Sequence, residues 1–134
     1  MKKPVFVLDS YALLAYFQAE PAALKVKEIL KRAQDNDAVV FLSLINLGET
    51  ICTVQRKLGW NTARETLQDV LTLPIQLGEV TMERVLSAAR IKASFPVSYA
   101  DTFAVALARE VTATVITGDP EFKRVESVVD LLWV

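Results

Sequence analysis

The sequence predicts an α/β fold, with a parallel sheet of about five strands that is flanked by helices on both faces. Two observations support this prediction. Short runs of β-branched and other apolar residues alternate along the chain with longer helix-like segments, and this alternation is typical of parallel sheets with right-handed crossovers. The short runs are apolar at consecutive positions, which is the pattern of strands that are covered on both faces.

The size and composition of the chain predict one domain. The sequence has 134 residues, of which 52% are hydrophobic and 23% are charged. A chain of this length buries a substantial core but has little room for a second one. We therefore expect a single domain over residues 1–134.

The first half of the chain is predicted to contain two strands and four helices. Pro21 suits the first turn of a helix, Gly59 suits the left-handed residue that ends one, and another helix stops before Pro74. The elements occupy, in order, strand residues 5–8, helix residues 11–17, helix residues 21–34, strand residues 38–43, helix residues 44–58 and helix residues 61–73.

The second half is predicted to contain three strands and two helices. Thr81 and Ser98 are suitable N-caps for the two helices because their hydroxyls accept from free amides of the first turn. The elements occupy, in order, short-strand residues 74–80, helix residues 81–93, helix residues 98–111, strand residues 113–117 and strand residues 128–134.

Composition limits the chemistry of the protein. There is no histidine and Cys52 is the single cysteine, so imidazole bases, His-ligated metals, Cys-based zinc sites and intrachain disulfides are excluded. We expect Cys52 to lie in the core and both tryptophans, Trp60 and Trp133, to pack. The net charge of −1 neither supports nor excludes a nucleic-acid partner. Reactive groups must therefore be carboxylates and hydroxyls.

Targeting and membrane segments are not expected. Asp9 interrupts the apolar stretch that follows the two N-terminal lysines, and no apolar run approaches the roughly 20 residues of a membrane span. The sequence therefore predicts a cytoplasmic protein without a membrane partner.

Four acids are expected to meet at one edge of the sheet. Asp9 ends the first strand and Asp119 follows the fourth. Glu49 lies in the helix after the second strand, and Asp101 lies in the first turn of the helix at 98–111. The carboxyl ends of parallel strands open into a crevice. Two carboxylates about 4 Å apart repel by up to about 4 kcal/mol at an effective dielectric constant near 20. A hard divalent cation, Mg²⁺ or Mn²⁺, would offset this repulsion.

Each acid also has a purely structural interpretation. Asp9 and Asp119 each precede a helical segment and suit its N-cap. Asp101 with Ser98 fits a capping box, in which Asp takes the usual place of Glu. Glu49 fits the solvated margin of its helix. These interpretations stay open for each acid alone, and four acids at one edge favour a site.

Four segments resemble the PIN domain family, in particular the small VapC-type toxin ribonucleases of toxin–antitoxin pairs. In chain order they are "VLDSYALLAYF", "LSLINLGETICTVQRKLG", "VSYADTFAVALARE" and "VITGDPEFKRVE". The resemblance covers nearly the whole chain. It implies a PIN-like fold with a five-stranded parallel sheet and a Mg²⁺- or Mn²⁺-dependent endoribonuclease that acts on RNA, forms a homodimer and is held inactive by a cognate antitoxin protein.

The resemblance also assigns site residues. The family's catalytic and metal-binding acids match four carboxylates, Asp9, Glu49, Asp101 and Asp119. Three supporting polar positions match Ser10, Asn46 and Thr117. Mild departures occur at Gly48, where the family more often has Ala, and at Gly118, where side chains vary.

The homodimer is also expected from the sequence itself. Apolar residues in the second helix, such as Val26, Ile29 and Leu30, together with those of the helix at 61–73, exceed what a small core is expected to need.

Two other classes of α/β domain that gather acids at strand ends fit the sequence poorly. A haloacid-dehalogenase-type phosphatase requires a second Asp at position 11, where Tyr11 stands, and a receiver domain requires an acid pair where Leu8 precedes Asp9. Both are disfavoured. A non-catalytic PIN-like binding module that acts through protein or RNA contacts is the remaining alternative.

Overall fold

The computed structural model describes residues 2–134, so the first residue of the predicted 1–134 domain lies outside the described residues. Strands and helices alternate as expected, and a 3₁₀ helix over Pro120–Val125 precedes the last strand. The elements are β1 (Val5–Leu8), α1 (Ser10–Phe17), α2 (Ala23–Gln34), β2 (Val39–Ser43), α3 (Leu44–Leu58), α4 (Trp60–Thr72), β3 (Gln76–Gly78), α5 (Met82–Ser94), α6 (Tyr99–Val111), β4 (Thr114–Thr117) and β5 (Asp130–Trp133).

The five strands form one parallel sheet with the order β3-β2-β1-β4-β5, which confirms the predicted fold class. The chain leaves β1 toward β2 and β3 on one side, and later returns to place β4 and β5 on the other. The direction of winding therefore changes between β1 and β4. In sheets of this kind, the crevice at such a switch point, outside the carboxyl ends of the strands, is where ligands bind.

Each face of the sheet is covered by helices, as predicted. Val7 and Leu8 are consecutive and point to opposite faces. Val7 belongs to an apolar cluster with side chains of α6 and of the 3₁₀ helix, whereas Leu8 belongs to a second cluster with side chains of α1, α2 and α3. Both residues are fully buried. The central strand is thus fixed from both sides, and so is the position at which it ends.

Several local predictions were wrong. Pro21 lies in a turn, and α2 begins two residues later at Ala23. Gly59 ends α3 with a positive φ of 89° as expected, but its ψ of 170° is extended rather than left-handed helical. Cys52 is exposed instead of lying in the core, and Trp60 is 56% exposed instead of packed. Trp133 packs against the core as expected.

The α2 residues named in the argument for a dimer are part of the monomer core. Val26, Ile29 and Leu30 are all buried there, so they offer no surface to a second subunit. Large apolar side chains are exposed elsewhere, at Leu24, Leu58, Trp60, Leu71, Met82 and Leu86. No helix within residues 2–134 combines the length and the apolar character that crossing a membrane requires.

Candidate active site

Asp9 is held rigidly at the end of the central strand. Its backbone N–H donates to the carbonyl of Ile116 in β4 at 3.3 Å. Its Oδ1 accepts from the Ala12 amide at 2.8 Å, so Asp9 does cap α1 as the structural interpretation proposed. Its Oδ2 accepts from the Thr117 hydroxyl. The side chain is 1% exposed. One carboxylate oxygen of Asp9 therefore caps α1, and the other accepts a hydrogen bond from β4.

Burial makes the Asp9 carboxyl an unusually weak acid. Its pKa rises from 3.8 to about 7, chiefly because burial disfavours the charged form. Hydrogen bonds from Thr117 and Ala12 oppose this rise, and the negative charges of Asp101 and Asp119 add to it. The effect of those two charges shows that three of the four predicted acids lie within electrostatic range of one another.

Asp101 lies in the first turn of α6 and is 6% exposed. Its pKa rises from 3.8 to about 6, first because of burial, while a hydrogen bond with the Ser98 side chain lowers it. The charges of Asp119, Glu121 and Glu49 raise it further. Asp101 is therefore close to three like charges, two from the turn after β4 and one from α3.

Three carboxylates form a compact group, which we call the acidic cluster and define as Asp101, Asp119 and Glu121. One oxygen of each lies within 4.8 Å of the others. Asp119 caps the 3₁₀ helix, because its Oδ1 accepts from the Glu121 amide at 2.9 Å. The same turn brings the Glu121 side chain back to α6, where its Oε1 accepts from the Ser98 amide at 2.6 Å.

Glu121 was missed by the sequence analysis. A signal was present in "GDPEF", where Pro120 favours a helical turn directly after Asp119 and places the next acid on the same side. The Ser98 amide that Glu121 accepts from is the donor that a complete capping box would give to Asp101. One of the two bonds of the capping box is present, because Ser98 Oγ accepts from the Asp101 amide at 3.3 Å. The other is replaced, because the Ser98 amide donates to Glu121 instead of to Asp101.

Glu49 and Asp9 lie beside the acidic cluster rather than within it. The hydroxyl of Ser10 donates to Glu49 Oε1 and joins α1 to α3. Glu49 is partly buried, and its charge contributes to the raised pKa of Asp101. Of the four predicted acids, the structure thus places two in the cluster with Glu121 and two next to it.

Asn46 links α3 to the start of α6. Its side chain is fully buried, and Nδ2 donates to the Ala100 carbonyl at 3.1 Å, one residue before Asp101. Its Oδ1 is buried without a hydrogen-bond partner among the described residues. A buried amide oxygen without a hydrogen-bond partner is costly, and this one belongs to a side chain that contacts the residue before Asp101.

The carboxylates have no basic partner within residues 2–134. The ion pair found in that range joins Arg84 to Glu110 at 2.9 Å, and Glu110 lies near the opposite end of α6 from Asp101. The donor set consists of carboxylate, hydroxyl and amide oxygens, which suits hard divalent cations such as Mg²⁺ and Mn²⁺. The residues present therefore fit a metal centre of that type.

The family model of the PIN domain matches residues 6–128. No curated protein sequence matches the chain. Among solved structures, the chain is similar to VapBC2 from Rickettsia felis bound to a DNA fragment from its promoter, with 14% identity, a TM-score of 0.73 and coverage of 96% of this chain and 97% of that one.

Two further structures are similar over nearly their whole length. DNA-bound VapBC from Salmonella typhimurium is 16% identical, with a TM-score of 0.73 and 98% of both chains covered. VapC20 from Mycobacterium tuberculosis, described as a sarcin-ricin loop cleaving toxin, is 18% identical, with a TM-score of 0.69 and coverage of 93% of this chain and 97% of that one. At these identities the similarity shows a shared fold.

Proposed function

Because the chain belongs to the PIN domain family, we propose that it is a metal-dependent endoribonuclease that hydrolyses phosphodiester bonds of RNA. One observation carries the proposal. Carboxylates from four different segments meet at the switch point of a parallel sheet, with Asp101, Asp119 and Glu121 within 4.8 Å of one another. Acids gathered in this way raise each other's pKa and weaken the metal-free fold, which favours a role in binding a cation.

We propose that the cation is Mg²⁺ or Mn²⁺ and that Asp9, Glu49, Asp101 and Asp119 hold it, with Glu121 as a fifth acid. Such an ion supplies an acidified water and offsets negative charge on the phosphoryl oxygens.

The polar residues around these acids fix the carboxylates. Thr117 orients Asp9, and Ser10 orients Glu49. Asn46 holds the start of α6 through the Ala100 carbonyl. Ligands fixed in this way are preorganised, which is a requirement of a metal site with strict octahedral geometry.

We further propose that the protein is the toxin of a type II toxin–antitoxin pair, as a cytoplasmic homodimer of single-domain chains that a cognate antitoxin inhibits. The similar VapBC structures support this part of the proposal. Exposed apolar side chains such as Leu58 and Leu71 offer surface for protein contacts.

The ribonuclease proposal is tested with one oligonucleotide sequence made as single-stranded RNA and as single-stranded DNA. Purified protein with Mg²⁺ or Mn²⁺ should cut the RNA, leave the DNA intact and stop when EDTA is added. Equal cleavage in EDTA would refute metal dependence, and absence of RNA cleavage with both ions would favour the non-catalytic alternative.

The toxin proposal needs a separate test in cells. Induced expression of the wild-type chain in a bacterium should arrest growth, whereas expression of Asp101→Asn to the same level should not. Growth arrest of equal strength by both proteins would show that the effect does not come from this site.

A further inference from the structure

The ring of Tyr11 lies directly against the backbone of Gly118. Tyr11 is two residues after Asp9, and Gly118 separates Thr117 from Asp119. A Cβ atom built on Gly118 would lie 2.2 Å from Cε1 of the ring, 2.7 Å from Cζ and 2.8 Å from Cδ1. The contact therefore joins the first turn of α1 to the loop that carries Asp119.

The distances show which side of the ring is covered. An approach in the plane of the ring at Cε1 would place Cζ and Cδ1 much farther away than Cε1, whereas an approach over the face places all three at similar distances. The distances to Cζ and Cδ1 exceed the distance to Cε1 by only 0.5 and 0.6 Å, which is less than an in-plane approach gives, so Gly118 packs against the face of the ring. The Tyr11 side chain is still 39% exposed. One face of the ring is thus supported by backbone, and part of the side chain is accessible.

The position of the Tyr11 ring also explains why residue 118 is a glycine. Gly118 does not have the positive φ that favours glycine, since Gly59 is the glycine with that conformation among residues 2–134. Its backbone would accept alanine, but a Cβ would collide with Tyr11. The absence of a side chain at position 118 is therefore matched to the ring at position 11 and not to a turn.

A supported aromatic ring at this position has a use in nucleic-acid binding. An RNA strand brings negative phosphates to a site whose carboxylates outnumber the two positive charges of one divalent cation, so charge alone supplies limited attraction there. Stacking of a base on an aromatic ring is independent of that charge and tolerates any base, because every base has a π face. A neutral platform beside the acids would supply attraction that the acids cannot.

We propose that Tyr11, backed by Gly118, is a stacking platform for a nucleobase of single-stranded RNA that is bound at the acidic cluster. The assignment rests on the proposed ribonuclease function and makes Tyr11 a substrate-binding residue of that site. Gly118 is a positioning residue, because it acts by allowing the ring to lie flat on the loop.

The test is a kinetic comparison of variants on a single-stranded RNA of mixed sequence with Mg²⁺. Tyr11→Ala and Tyr11→Leu should each raise KM about 5- to 150-fold, the range expected for one lost stack, with a much smaller change in kcat. Tyr11→Leu keeps apolar volume against Gly118, so it guards against a simple packing defect. Tyr11→Phe should retain the wild-type KM. Trp60→Ala, which removes an exposed aromatic side chain at the start of α4, is the matched control and should behave as wild type.

Gly118→Ala gives a second, independent test. It should raise KM in the wild-type background because the new Cβ displaces the ring, and it should add nothing in the Tyr11→Ala background because the ring is gone. This non-additivity is the signature of two residues acting through one contact.

The outcomes separate the two proposals. If the wild type cuts RNA and KM is unchanged in Tyr11→Ala and Tyr11→Leu, the platform is wrong and the ribonuclease stands. If kcat and the Mg²⁺-induced melting shift fall while KM stays constant, Tyr11 supports Asp119 rather than RNA, and the platform is again wrong. If the wild type neither binds nor cuts RNA, both proposals fail.

Discussion

The hydroxyl of Thr117 donates a hydrogen bond to Oδ2 of Asp9 and thereby joins the carboxyl ends of β4 and β1. The hydroxyl oxygen of Thr117 in turn accepts from the Asp119 amide at 3.0 Å. Thr117 is fully buried. A single hydroxyl thus orients one acid through its side chain and a second acid through its backbone, and it does so from a strand rather than from a flexible loop.

Replacing Thr117 by valine should destabilise the protein. Valine has the same shape but no hydroxyl, so Asp9 Oδ2 and the Asp119 amide would each lose a buried partner. The expected loss in free energy of unfolding is about 1–3 kcal/mol, measured by urea denaturation in EDTA. Thr117→Ser keeps the hydroxyl and is the control. A valine variant as stable as wild type would show that this bond does not hold the site.

The metal-free protein should lose stability as pH rises from about 4 to about 7. The folded pKa values of Asp9 and Asp101 are about 7 and about 6, above the ordinary value of 3.8. Raised carboxyl pKa values stabilise the folded state below about pH 4, and this contribution is lost as pH passes through the folded values. Melting curves in metal-free buffers of different pH measure the effect.

The control for the pH effect is a pair of variants. Asp9→Asn should reduce the pH dependence, because the Asp9 contribution is gone while Asp101 still titrates. Ala12 can still donate to the amide oxygen, so the cap of α1 is retained. Asp69→Asn, at an exposed position of α4, should follow the wild-type curve. A flat wild-type profile would contradict the assigned burial of Asp9.

Mg²⁺ should stabilise the wild type through this site. At about ten times its dissociation constant, Mg²⁺ is expected to add roughly 1.4 kcal/mol, which is a melting shift of a few degrees. Asp101→Asn should raise the melting midpoint in EDTA, because one of the mutually repelling charges is removed, and should shrink the Mg²⁺ shift. A lower midpoint in EDTA with an intact Mg²⁺ shift would reassign Asp101 as a capping residue of α6.

Glu121 should contribute to cation affinity. Glu121→Gln removes the charge but keeps an oxygen that can accept from the Ser98 amide, so the link between the 3₁₀ helix and α6 is retained. We expect about 10-fold weaker Mn²⁺ binding by calorimetric titration, the lower range for loss of a supporting ligand. Glu126→Gln, at an exposed position directly after the 3₁₀ helix, should bind as wild type. Equal affinities in the two variants would remove Glu121 from the site.

The sheet and the positions of the acids were predictable because they depend on local pattern and topology. Apolar runs such as residues 5–8 identify strands that are covered on both faces, and parallel pairing then brings every strand end to one edge. Asp9 and Asp119 follow such ends directly. Their convergence needed no information beyond the order of the elements.

The remaining features depend on contacts between segments that are distant in sequence. Glu121 is part of the cluster because a 3₁₀ turn directs it to the Ser98 amide, and the packing of Tyr11 on Gly118 spans more than 100 residues of chain. Likewise, the sequence analysis counted Val26 among the apolar residues in excess of the core, whereas the structure buries it in the core beside the sheet. Pattern alone does not fix such contacts, because they depend on how elements pack.

The most direct test of the central claim is the rate of RNA cleavage in Mn²⁺ by Asp101→Asn beside the control Asp69→Asn. Both substitutions remove one negative charge and keep nearly the same volume, but only Asp101 lies in the acidic cluster. Site residues that act as a unit lose most of the activity when one is removed. The account predicts cleavage by Asp69→Asn at the wild-type rate and a loss of about 100-fold or more in Asp101→Asn, and equal rates in the two variants would contradict it.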